Sequence, residues 1–203
     1  SSTDEYIEIQ NQTNAPLTVA AIDGSPGYSV ASSDGTVVFG IPNGTLIPAR
    51  GHFLGANAGL TLGAAPDATW TADIADGLGL AVFRTATPAN FGSPAAIDAV
   101  GFGGGPSPYV EGAGLASLAN MGGEYAWVRK APLGVAQDTG DNASDFVLIS
   151  TNGAAYNGVP SVLGSPSPAS GGLKDVSSGL AILLAEPLVG PNLDPNRIRT
   201  GAA

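Results

Sequence analysis

Apolar and polar residues alternate along this chain in short bursts, separated by Gly, Pro, Asn and Asp. Glu5-Tyr6-Ile7-Glu8-Ile9-Gln10 alternates strictly, which is the period of a half-buried strand. Asn11 to Pro16 supplies turn residues, and Leu17 to Ile22 reads as a second strand. Tyr28-Ser29-Val30 and Thr36 to Phe39 read as further short strands. Ile41 to Gly51 carries Pro42, Pro48 and an Asn43-Gly44 pair, so it predicts loop or edge rather than central strand. His52 to Gly55 resumes strand character, while Ala58 to Gly79 reads as loop with Trp70 as its anchor. Leu78 to Arg84 and Ala95 to Gly103 form a predicted hairpin, and Tyr125 to Lys130 and Asp145 to Ile149 complete the set. Leu115 to Asn120 is the one segment read as a helical turn. About seven to nine short strands with turns at this spacing predict an all-β sandwich.

The character of the chain changes after Thr151. Residues 1–152 read as the β-sandwich, 153–178 as a Gly/Pro/Ser-rich linker, and 179–203 as an apolar strand with a polar tail. Leu180-Ala181-Ile182-Leu183-Leu184-Ala185 is the most apolar run, followed across Glu186-Pro187 by Leu188 and Val189. It is far shorter than the roughly eighteen apolar residues of a membrane-spanning helix. Ser1-Ser2-Thr3 reads as a processed or trimmed terminus.

Composition sharpens this picture. With 203 residues and 43% hydrophobic residues, the chain can bury a sizeable core. The 30 glycines and 16 prolines therefore signal many turns rather than low complexity. The net charge of -10 and the lack of a basic stripe argue against nucleic acid and anionic membranes as partners. With no cysteine, disulfides and thiolate chemistry are excluded.

The order of these signals resembles the lamin-tail domain family. Asp4-Glu5-Tyr6-Ile7-Glu8-Ile9-Gln10-Asn11 is similar to that family's opening strand. Leu46-Ile47-Pro48-Ala49-Arg50-Gly51-His52-Phe53-Leu54 is similar to its later strand entry. Ile97-Asp98-Ala99-Val100-Gly101-Phe102-Gly103 resembles its "V-D-x-V-x-Y-G" strand, with Phe102 in place of the usual Tyr. The sharpest likeness is Trp127-Val128-Arg129-Lys130 followed by Asp138-Thr139-Gly140-Asp141-Asn142-Ala143-Ser144-Asp145-Phe146. The resemblance covers residues 4–150 and implies an immunoglobulin-like β-sandwich of the bacterial, secreted type, located outside the cell or at the cell surface of a prokaryote. The Ala/Gly-rich insertion around 56–76 and the low charge depart from the family.

Candidate chemistry is sparse. His52 is the sole histidine and has no nucleophile motif around it, so it reads as a strand start. Asp73 and Asp76 pair carboxylates in a loop without a neighbouring base. Asp138, Asp141, Asn142 and Asp145 form an oxygen-rich box with two readings, a calcium site and a turn held by side-chain hydrogen bonds, the turn carrying more weight. Calcium is thus the one cofactor candidate. Sequons at Asn11, Asn43 and Asn142 fall in predicted loops and read as chance matches. Trp70, Phe91, Tyr109 and Tyr156 are scattered loop aromatics.

Two functions remain. One is a non-enzymatic structural subunit whose partner is itself, joined when Leu180, Ile182, Leu183, Leu184, Leu188 and Val189 add as a strand to a neighbour. The same strand folding back on its own domain has equal weight. The other is an accessory binding domain of a larger secreted protein such as a nuclease or phosphatase.

Overall fold

The computed structural model describes residues 4–61, 65–92, 94–103, 108–118, 125–132, 135–166 and 168, and the backbone of 178–184. The described chain is all-β. In order the strands are β1 (Glu5–Asn11), β2 (Leu17–Thr18), β3 (Gly27–Ser32), β4 (Val37–Pro42), β5 (Leu46–Ile47), β6 (His52–Asn57) and β7 (Ala68–Trp70). They continue with β8 (Leu80–Phe83), β9 (Ala96–Val100), β10 (Tyr125–Arg129), β11 (Phe146–Ser150), β12 (Val162–Leu163) and β13 (Ser178–Leu184). The helical pieces include one 3-10 turn at Pro88–Asn90 and one short helix, α1 (Asn142–Asp145).

The strands outnumber the predicted set because β2, β5, β7 and β12 are only two or three residues long. Periodicity has little to register at that length. The stretch from Leu17 to Ile22 keeps strand pairing only at its start. Beyond it, Val19 N–H donates to the Thr45 carbonyl at 2.9 Å, and Ala21 N–H donates to Asn43 Oδ1 at 2.8 Å. Leu115 starts no helix. It bridges Phe102 in parallel, with Gly103 N–H donating to its carbonyl and its own N–H donating to Gly101, both at 2.8 Å. The end of that predicted turn, Ala119 and Asn120, lies outside the described residues.

A seven-stranded sheet runs β12-β11-β10-β13-β1-β6-β7, a four-stranded sheet β4-β3-β8-β9, and β2 pairs with β5. The predicted hairpin is present: β8 and β9 pair antiparallel from Leu80–Val100 to Phe83–Ala96. One core joins the two larger sheets. Ile7, Ile9, Trp127 and Leu148 of the first meet Val30, Ile41, Val82 and Val100 of the second. Phe39 of β4 stacks between Phe53 at 6.1 Å and Trp70 at 5.7 Å. The ring sits against the backbone of Gly55, where any Cβ would overlap Phe39.

The β1 alternation predicts one wet face, yet six of its seven residues are buried. The second face carries its own apolar cluster of Tyr6, Leu54, Ala56, Ala126 and Ile149. Such a face needs a cover. Leu60 packs on it, and the Tyr6 hydroxyl donates to the Pro166 carbonyl. Gly164, Pro166 and Pro168 are buried, so the middle of the linker-like stretch is packed rather than free.

The C-terminal strand joins its own chain. β13 runs parallel to β1 along its full length, from Glu5–Ser178 to Asn11–Leu184, and meets β10 at Trp127–Leu180. Leu188 and Val189, and the side chains of Leu180, Ile182, Leu183 and Leu184, lie outside what the structure describes.

Candidate functional site: a buried ion cluster and an acid-lined cavity

The inward face of β10 presents Tyr125, Trp127 and then Arg129, while β9 places Asp98 in phase with Val100. Arg129 and Asp98 meet as an ion pair between the two sheets, with side chains 1% and 2% exposed. The Arg129 guanidinium also donates to the Gln137 carbonyl at 3.1 Å and lies 4.5 Å from the Phe146 ring centroid. It approaches Asp145 at 3.7 Å and the half-exposed Asp138 at 4.0 Å. Burial pushes the Asp98 carboxyl up to about 7, against the pull of Arg129 and with a further push from Glu111.

The acidic box folds as a capped turn around this cation. The Asp141 carboxylate accepts from Ser144 N–H at 3.1 Å and so caps α1. Asp145 is fully buried. It accepts from Thr139 N–H and the Thr139 hydroxyl, both at 2.8 Å, and from the Gln137 amide at 3.2 Å. Burial alone would raise its carboxyl; these hydrogen bonds prevail and hold it below the usual range.

Asn142, also fully buried, is a strut between three segments. Its oxygen accepts from Gly101 and Glu111 N–H at 3.0 Å each, and its amide donates to the Ala99 carbonyl at 3.0 Å and Glu111 Oε2 at 3.2 Å. The structure thus brings Asp138 and Asp145 to Arg129, assigns Asp141 to a backbone amide, and assigns Asn142 to backbone groups and the Glu111 carboxylate. Among the described residues no group of three His, Cys, Asp or Glu is placed to hold a metal ion.

Two of the three sequons are not in open loops. Asn11 is fully buried, with its amide donating to the carbonyls of Ala15, Ile47 and Pro48 at 2.9–3.1 Å, and Asn142 is the strut just described. Asn43 is exposed. The loop aromatics pack individually: Phe91 at 4.5 Å and Tyr109 at 5.5 Å on Phe83, Tyr156 at 4.9 Å on Tyr125, and Trp70 on Phe39. Together they make no platform.

A second acid lies at the opposite end of the same strands. Glu5 is in phase with Ile7 and Ile9, and its carboxylate accepts from Ile74 N–H at 3.2 and 3.3 Å. Burial raises it to about 7, and the charge of Asp73 adds to the rise. Among the described residues no cation is paired with Glu5. Glu5 and Asp76 border a cavity of about 80 Å³ walled by Ile7, Leu80, Phe102, Tyr125 and Trp127. The Trp127 indole N–H is buried and donates to no acceptor among the described residues.

Period-two phase carries the signal that motif reading missed. Asp98, Arg129 and Glu5 each occupy an inward position of an otherwise apolar strand face. Opposite charges on two such faces point to a buried pair, whereas a lone acid points to a special environment.

No family model matches the chain, and no curated protein or solved structure matches it.

Proposed function

We propose that this chain is a non-enzymatic extracellular structural module, an immunoglobulin-like sandwich of the lamin-tail type, whose copies join by exchanging the C-terminal strand. The observation that carries the reading is the place of β13. It occupies the middle of the seven-stranded sheet, parallel to β1, and follows a Gly/Pro/Ser-rich stretch. Withdrawing it leaves the facing edges of β1 and β10 unpaired, and such edges recruit another strand. Its own chain supplies that strand in the closed form; a neighbour supplies it in the assembly. Two sheets over one core, with the box ahead of β11 fastened to β9 and β10, support the lamin-tail likeness. The absence of cysteine fits a chain that folds without disulfides, and among the described residues no helix is long and apolar enough to cross a membrane.

Cysteine cross-linking tests the reading. Gln10 and Leu183 are register partners in a cysteine-free chain. Oxidising the Gln10→Cys, Leu183→Cys variant is expected to yield covalent multimers on a non-reducing gel. Particles seen by electron microscopy and sedimentation are expected to vanish in a chain ending at Gly172. Only intrachain bridges, together with monomers for both lengths, overturn strand exchange. That outcome moves the weight to the accessory binding domain, which the acid-bordered cavity favours.

A further inference from the structure

We infer that the cavity lined by Glu5, Asp76, Phe102, Tyr125 and Trp127 binds a small organic ammonium ion whose short chain carries a hydrogen-bond acceptor, the chemistry of an amino alcohol. Three independent features converge on that class. The cavity wall is apolar and aromatic, with Phe102, Tyr125 and Trp127 facing a space of about 80 Å³. That matches a short alkyl chain, and aromatic faces attract an organic cation. Its charged border is acidic only, with Glu5 and the exposed Asp76 at the cavity and Asp73 within electrostatic reach of Glu5. A buried carboxylate without a counter-ion is costly, and an ammonium beside it removes that cost while leaving its own alkyl chain in the apolar space.

The third feature selects the far end of the ligand. Trp127 is nine-tenths buried, lines the cavity, and its indole N–H meets no acceptor among the described residues. A buried donor without a partner calls for an acceptor. A ligand hydroxyl supplies one, which an alkylammonium alone does not. The cavity lining includes none of Asp98, Arg129 and Asp145, so the site is separate from that ion cluster.

The test is titration of the intact chain with aminobutanol, followed by the indole N–H resonance of Trp127, assigned with the Trp70→Phe variant. A saturable shift is expected. Butanol, which lacks the charge, and butylammonium, which lacks the acceptor, should each bind more weakly. Glu5→Gln should weaken aminobutanol by roughly tenfold or more, and Asp76→Asn by less. Glu5→Gln removes an unbalanced buried charge, so it keeps the fold, and exposed Asp76 tolerates substitution. Butanol binding as tightly as aminobutanol reduces the site to an apolar void and overturns the inference. So does wild-type affinity in both acid variants, or no shift with any probe. Binding is read from the Trp127 resonance and strand exchange from covalent multimers, so the two readings fail separately.

Discussion

Two buried acid sites in one core solve the same problem differently. At the Arg129 end, Asp98 and Asp145 face a guanidinium and a set of hydrogen bonds, which ties β9, β10 and the turn before β11 together. At the Glu5 end, the carboxylate has a backbone amide, an acidic neighbour and a cavity. One site is closed upon itself and holds strands; the other borders a cavity and has no cation paired with it among the described residues. Burial of a carboxylate therefore says little until its counter-charge is located.

Removing the counter-charge is the most severe test of this contrast. Arg129→Ala strands Asp98 and Asp145 in the core and is expected to cost about 3–5 kcal/mol in denaturant unfolding near neutral pH. A cost no larger than that of an exposed substitution would break the comparison. Next comes the strut. Asn142→Ala leaves the Gly101 and Glu111 amides and the Ala99 carbonyl without their partner, and the expected loss is roughly 2–3 kcal/mol. If the loss stays below that of a lost cap, the three segments are held by other contacts.

The smallest effect has the opposite sign. Glu5 is raised from 4.5 to about 7, so its neutral form is the one the fold prefers. Its contribution to stability is complete below pH 4.5 and is lost as pH rises through about 7. Glu5→Gln should therefore stabilise above that range by on the order of 1 kcal/mol, allowing for the solvent that reaches the carboxyl, and change little below it. Asp98 shares this sign, whereas depressed Asp145 weakens the fold as pH falls, so the difference between variant and parent is the quantity to measure. Destabilisation at high pH would overturn the view of Glu5 as unbalanced.

Much of the strand pattern is legible without coordinates. The bursts at Glu5 to Gln10, His52 to Gly55, Leu78 to Arg84 and Tyr125 to Lys130 coincide with β1, β6, β8 and β10. β7 is hidden in an Ala/Gly-rich stretch because it is three residues long and is drawn into parallel pairing with β6. Asn11 and Asn142 look like loop residues because Asn favours turns, yet both are buried where their amides join separate segments. No local pattern distinguishes a turn asparagine from a strut.

The amino-acid pattern by itself determined that this chain is a set of short strands with a C-terminal apolar run, since a period of two and turn-forming residues act over a few positions. Only the tertiary structure decided that Arg129 closes on Asp98 while Glu5 does not, and that β13 lies between β1 and β10. Those outcomes depend on which distant segments share a face, and the free energy that selects them comes from burial and counter-charge across the two sheets.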